Sequence, residues 1–274
     1  MSPRRVLAGT LVAIPVLVAL AGPVLADRAP RTRQAPFGPS VWSPFGTDRL
    51  GRDVLAAALS GGRTFLLVAV STVLLAYLVG FLIGMAAAAT DRTWLDELLM
   101  RPIDVLLCLP SLLIIMVAAI RTRGSEIAIA AAVALALVAP TARFVRMAAR
   151  SVVHGPVMDA LRMQGESRAY RYGRYAAREM ARPVAADMAL RFTVAVYFLA
   201  SANFLGLGFD TTSTDWAVSV AANKDALTTA PWAVALPAGL IVALIVGINL
   251  LCDDLLADPR TLAVRAAVRT GKSA

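Results

Sequence analysis

The chain has 274 residues, 58% of them hydrophobic and only 16% charged, with a formal net charge of +9 and a mean hydropathy of +0.70. A soluble core does not need so large an apolar share, so the composition argues against an ordinary soluble domain and for an integral membrane protein. The positive charge is mostly arginine lying between apolar runs, with no aromatic base-stacking pattern; this fits membrane-flanking loops and argues against nucleic acid as a partner.

Six apolar stretches, at about 6–26, 64–90, 103–120, 126–147, 186–206 and 232–252, are long enough or nearly so to cross roughly 30 Å of hydrocarbon. The first follows Arg4 and Arg5 and ends in Pro23-Val24-Leu25-Ala26, which would also suit a signal peptide cleaved after Ala26. It is long for a signal-peptide core, which favours a retained anchor. The loop that follows, 27–63, is rich in Pro and Gly and then reads as helical from Asp48, with Thr47 or Asp48 as N-cap. This predicts a short amphipathic segment on the outer face, ahead of the second span.

Between the fourth and fifth spans lies the polar stretch GPVMDALRMQGESRAYRYG, residues 155–173. Gly155 suits an N-cap, and Pro156 suits the first helical position, where its missing N–H costs nothing. Asp159 falls near the positive end of the helix dipole, and Gly165 is placed to end the helix in the left-handed conformation. These signals frame a helix of about nine residues, near 13 Å long at about 1.5 Å per residue. So short a helix is marginal in water and must pack on something, using Val157, Met158, Leu161 and Met163. A second helix starts after Ser167 and leads into the fifth span. The loop after that span, about 210–232, is long enough for another surface helix.

Lysine and arginine bias puts both termini in the cytoplasm, since 4–5, 92–101, 141–185 and the tail gather on one side. The six arginines within 27–63 weaken that bias without reversing it. Cys108 and Cys252 each sit in an apolar run and read as small buried side chains, and His154 precedes a Gly-Pro turn and reads as local. Arg191, Glu126 and Asp104 lie near span ends, where snorkelling or end-capping accounts for them. No acidic or histidine relay is evident deep in a span, which disfavours a proton-coupled carrier. The tail RTGKSA contains Gly-Lys-Ser, but Ala266 stands where a phosphate-binding loop needs glycine, so ATP binding in this chain is not expected.

Four further motifs occur in order: GTDRLGRD at 46–53 with GGR at 61–63; Asp96 followed by MRPIDVLLCLPSLL from Met100 to Leu113; ARFVR at 142–146; and NFLGLG at 203–208. Together with Asp159-Ala160-Leu161, three residues and Gly165, they resemble the permeases of the dipeptide, oligopeptide and nickel group of ABC importers. The likeness extends from residue 46 to about 254 and is to the shorter of the two permeases that such importers pair. Asp159 stands where the group has Glu, Leu161 where it has Ala, Ala177-Arg178-Glu179 where it has Leu-Pro-Asn, and Trp216-Ala217 where it has Trp-Gly.

The resemblance implies an all-α integral membrane protein with six transmembrane helices and cytoplasmic termini. A first anchor and extracytoplasmic segment occupies 1–63, a permease core 64–254 with a cytoplasmic loop at about 148–183, and a cytoplasmic tail 255–274. It implies a multi-pass protein of the bacterial inner membrane, non-catalytic and without a cofactor of its own, with ATP and Mg held by a partner. Expected partners are a second homologous permease, one or two cytoplasmic ATPase subunits, an extracytoplasmic substrate-binding protein and membrane lipid. Asp159, Ala160, Leu161 and Gly165 would couple to the ATPase. The matched motif positions are Gly46, Thr47, Asp48, Gly51, Arg52, Asp53, Arg101, Asp104, Pro110, Arg143, Arg146, Gly206 and Gly208. The cargo would be a small peptide, a metal or a metal chelate. The competing readings are an ion-coupled secondary transporter and a non-catalytic membrane receptor or scaffold.

Overall fold

The computed structural model describes residues 3–28, 34–122, 124–205 and 212–256; among these, helices and turns account for the chain apart from one isolated bridge between Thr47 and Asp53. The helices are α1 (Pro3–Ala26), α2 (Val54–Ala89), α3 (Thr93–Cys108), α4 (Ser111–Arg121), α5 (Glu126–Val153), α6 (Pro156–Met163), α7 (Ala177–Phe204), α8 (Trp216–Asn223) and α9 (Trp232–Leu256). A π-helical stretch, Ala169–Ala176, runs directly into α7. Gly206, Gly208 and most of the C-terminal tail lie outside the described residues.

Among the described residues five helical stretches are long and apolar enough to cross a membrane: Pro3–Ala26, Val54–Ala89, Glu126–Val153, Ala169–Asn203 and Trp232–Asp253. The third expected span is not a straight helix. Residues 103–120 fall across α3 and α4, which meet at an 83° bend. Pro110 lacks an N–H and pushes the residue before it out of the helical region, and Leu109 is accordingly extended at φ −83, ψ 131. The expected six spans are therefore five helices plus this bent pair.

The start of α2 also corrects the sequence reading. Asp53, rather than Thr47 or Asp48, is the N-cap, its carboxylate accepting the Ala56 N–H at 2.9 Å. Asp48 is engaged one turn earlier, accepting from the backbone N–H of Leu50 and of Arg52. Among the described residues 34–53 no separate helix precedes the span. α2 instead runs unbroken for 36 residues, about 54 Å at 1.5 Å per residue.

α2 and α5 form the centre of the bundle, and small residues let their backbones approach. A Cβ on Gly80 would stand 2.9 Å from Thr141 Cγ2, and one on Gly84 would stand 2.5 Å from the Ala142 carbonyl oxygen. Around that seam Phe65, Val73, Ile129, Leu137, Phe192 and Leu199 make a continuous core. The opposite side of α2 exposes Leu67, Leu74, Leu78 and Leu82, as a helix facing lipid does.

α8 occupies the loop where a surface helix was expected, but it is buried rather than superficial. Trp216 is wholly enclosed and donates its Nε1–H to the Ala58 carbonyl at 2.6 Å. Asp215 caps the helix through the N–H groups of Ala217 and Val218. The cysteines depart from expectation the other way: Cys108 is exposed and Cys252 half-buried, its Sγ 3.7 Å from the Ala185 carbonyl.

Candidate functional site

α6 hangs between the end of α5 and the π-helical stretch, and both its ends are closed as the residues require. Gly155 is extended at φ −85, ψ 158 and Pro156 opens the helix. At the other end Gly165 takes φ +76. Its N–H reaches the Arg162 carbonyl and the Glu166 N–H reaches that of Leu161, the pair of bonds that closes a helix over a left-handed residue.

Met158 holds the helix in place. It is fully buried in one cluster with Ala88 at the end of α2, Val145, Ala149 and Val153 at the end of α5, Ala176 at the end of the π-helical stretch and Met180 at the start of α7. The other face is open: Val157 is 50% exposed and Met163 84%. Ala160 and Leu161 are half-buried. Asp159 is exposed and paired only loosely with Arg162, at 3.4 Å. The helix thus buries Met158 fully and turns Val157 and Met163 outward.

Behind α6, the arginines of the ARFVR motif meet the acids of α3. Arg143, Arg146 and Arg150 are spaced three and four apart, on one face of α5, and Asp96 and Asp104 lie two turns apart on α3. Arg146 donates through Nε to Asp96 at 2.7 Å and through a second nitrogen to its other oxygen. Arg150 reaches the same carboxylate at 2.8 Å, and Arg143 pairs with Asp104 at 2.8 Å. On the rim Arg101 pairs with Glu97 at 2.9 Å. All of these residues except Arg150 line a polar cleft of about 330 Å³. The structure thus unites Arg101, Asp104, Arg143 and Arg146 from two separate motifs, while Pro110 makes the bend just beyond them. Asp96 and Arg150 complete the network. Their helical spacing from Asp104 and Arg146 was the available signal.

The 46–53 motif makes a different structure. Gly46 and Gly51 both have positive φ, at 75° and 70°, and a Cβ on Gly51 would stand 2.0 Å from the Gln34 carbonyl oxygen. The buried Thr47 hydroxyl donates to the Ala35 carbonyl at 2.7 Å. Asp48 holds the Arg52 guanidinium at 2.8 Å, which also reaches the Thr212 carbonyl. Asp53 accepts from the hydroxyls of Ser40 and Ser43. Arg49 donates its backbone N–H to Asn223. These polar groups are engaged within the protein, so the motif is a clamp joining the start of α2 to the 212–223 segment.

Within the spans the structure corrects the reading of Arg191. Its guanidinium does not snorkel outward but lies beside Asp187 at 3.0 Å, and Asp187 also accepts from the Tyr77 hydroxyl at 2.5 Å. An acid does sit inside a membrane helix, and Asp187 is buried and satisfied by partners on α2 and α7. Asp187 stands at the second position of the expected fifth span, so its burial was not legible from its place in the sequence.

Residues 80–256 match the family described as the inner membrane component of binding-protein-dependent transport systems. The match covers more than half of the chain. The chain belongs to that family. A di/tripeptide transport system permease protein of Pseudomonas aeruginosa is 31% identical over 212 residues, 77% of this chain and 69% of that one. A dipeptide transport system permease protein of Alkalihalophilus pseudofirmus is 29% identical over 246 residues, 88% of this chain and 80% of that one. The resemblance drawn from the motifs is borne out, and the permease is a multi-pass protein of the inner membrane.

Proposed function

We propose that this permease forms half of the translocation pathway of an ATP-driven importer of small peptides and takes its driving force through α6. The observation that carries the proposal is the burial of Met158 of α6 in one cluster with residues from the ends of α2 and α5 and the start of α7, with Val157 and Met163 presented outward. A load applied to that helix reaches three spans at once. Asp159 and Gly165 then serve the partner contact and the turn that ends it, and Ala160 permits close approach. The permease holds no nucleotide itself; ATP and Mg bind in the cytoplasmic ATPase. A second homologous permease completes the pathway, and an extracytoplasmic binding protein delivers cargo near the 34–53 clamp.

The peptide cargo rests on the relatives being permeases of di/tripeptide and dipeptide transport systems, which favours it over a metal or metal chelate. An ion-coupled mechanism would look to Asp187, but its bonds to Tyr77 and Arg191 leave it engaged. That supports the ATP-driven reading.

The test is uptake by proteoliposomes holding the complete importer. Replacing Asp159 with Ala together with Gly165→Pro should abolish ATP-dependent peptide uptake while the protein still inserts, because proline cannot adopt positive φ. Unchanged uptake would refute the assignment of α6. Sidedness is read from Val41→Cys, chosen because Val41 is 87% exposed: labelling from the outside is expected, and labelling only from the cytoplasm would reverse the orientation.

A further inference from the structure

The segment that leads from α6 into the membrane carries five arginines between 168 and 182, at 168, 171, 174, 178 and 182, against one glutamate, Glu179. Arg174, Arg178 and Arg182 recur every fourth residue and all are exposed. They lie across the helix from Ala176 and Met180, which are buried. Residues two positions apart on a helix point to nearly opposite sides, so this row faces away from the bundle. None of the three takes part in an ion pair among the described residues. Arg174 instead stands over the ring of Tyr170 at 5.8 Å.

The packing also fixes the level of the row. Ala176 and Met180 share a cluster with Ala88, next to the last residue of α2. Beyond α2 the chain turns polar at Thr90, Asp91 and Arg92. The arginines therefore sit where the apolar run of the neighbouring span gives out, which is the headgroup zone of a bilayer. Tyrosine beside arginine at that depth is the composition of a membrane interface.

We infer that Arg174, Arg178 and Arg182 form a docking row for the phosphate groups of anionic phospholipids in the leaflet that α6 faces. Among the described residues the cationic row finds no acidic complement, whereas an anionic leaflet supplies one continuously. Guanidinium groups bind phosphate oxygens in a fork geometry and stay charged at any cellular pH. The bound headgroups would set the depth and tilt at which α7 enters the bilayer, and through Met180 the seat of Met158 on α6. The inference rests on the membrane placement of α7 and not on the coupling role of α6, so the two can fail separately.

The full-length permease is reconstituted in nanodiscs of phosphatidylcholine with a minority of phosphatidylglycerol, and retained lipids are identified by native mass spectrometry. Phosphatidylglycerol should be retained well above its share of the mixture. Each Arg→Gln change in the row should weaken that retention about fivefold, and the triple Arg→Lys variant should keep most of it. Equal retention of the two lipids by the unaltered chain would overturn the proposal. So would a triple Gln variant, folded by its melting temperature, that still prefers phosphatidylglycerol; if that variant also loses the ATPase, the row is a protein contact. Should the triple variant fail to insert, Arg178→Gln and Arg182→Gln singly carry the same comparison.

Discussion

Arg146 and Asp96, fifty positions apart in sequence, meet through two nitrogens and two oxygens, one contact being 2.7 Å. The pair joins α3 to α5, and its members are largely shielded, at 27% and 13% side-chain exposure. Asp96→Asn would leave two arginines, 146 and 150, facing a neutral amide. A pair at this depth falls between an exposed bridge and a buried one, so the loss should be roughly 2 kcal/mol. A lowered thermal midpoint in detergent is expected, with Arg146→Lys intermediate because lysine cannot bind both oxygens in a fork. An unshifted midpoint for Asp96→Asn would show the pair to be an ornament of the cleft rather than a tie.

Met158→Ala removes the side chain that seats α6. Truncating a fully buried methionine costs about 2–5 kcal/mol where neighbours cannot close in, and here the effect is confined to one short helix. Protease cleavage within 155–165 should accelerate sharply while the spans stay intact, and ATP-dependent uptake should fall. A cleavage rate equal to that of the unaltered permease would show that α6 is held by something other than Met158.

Gly61→Ala tests the seam between α2 and the start of α8. A Cβ there would stand 1.7 Å from the Thr214 carbonyl oxygen, so the 212–216 backbone must move. Forced repacking of this kind costs about 1–3 kcal/mol. Because Trp216 is held to Ala58 next to this contact, its fluorescence should shift towards that of an exposed indole. A spectrum unchanged from the parent would contradict the close approach.

Asp215 makes stability depend on pH with a definite sign. Burial pushes its carboxyl from 3.8 up to about 6, against the lowering effect of the Val218 and Ala217 N–H groups, with Glu126 adding to the rise. Between those two values the folded protein holds a proton that the unfolded chain gives up. This group therefore favours folding more as pH falls from 7 towards 4, and the advantage is lost as pH rises through about 6. Asp215→Asn, which keeps an acceptor for the cap without the charge, should be more stable relative to the parent at pH 7 than at pH 5. Melting curves of both proteins at the two pH values check this, and an equal difference at each pH would remove Asp215 as the source.

How much of this was legible in the sequence depended on the range of the interactions. α6 was framed by Gly155, Pro156 and Gly165 because helix ends are decided by a few neighbouring residues. The bend at Leu109–Pro110 was missed although the proline was visible, since hydropathy averages over a window and is blind to direction. Asp53 displaced Asp48 as the cap because Asp48 was already bonded within a turn shaped by two glycines of positive φ. Arg191 was read alone and sent outward; its true partners, Asp187 and Tyr77, come from two different spans. The cleft followed the same rule: each motif was readable, but that Arg143 and Arg146 face Asp104 and Asp96 is a fact of packing between helices.

The unbroken course of α2 has one more consequence. Its first turn is fastened into the 34–53 clamp by Asp53, and Ala88 near its last turn shares a buried cluster with Met158 of α6. With about 54 Å of uninterrupted helix and a bilayer about 40–45 Å thick including its headgroups, this one rod outreaches the membrane. On the proposed function, a binding event on one side and a push on the other would act on opposite ends of the same lever arm. Communication across the bilayer would then need no relay of side chains along the way, only a change in the tilt of one helix.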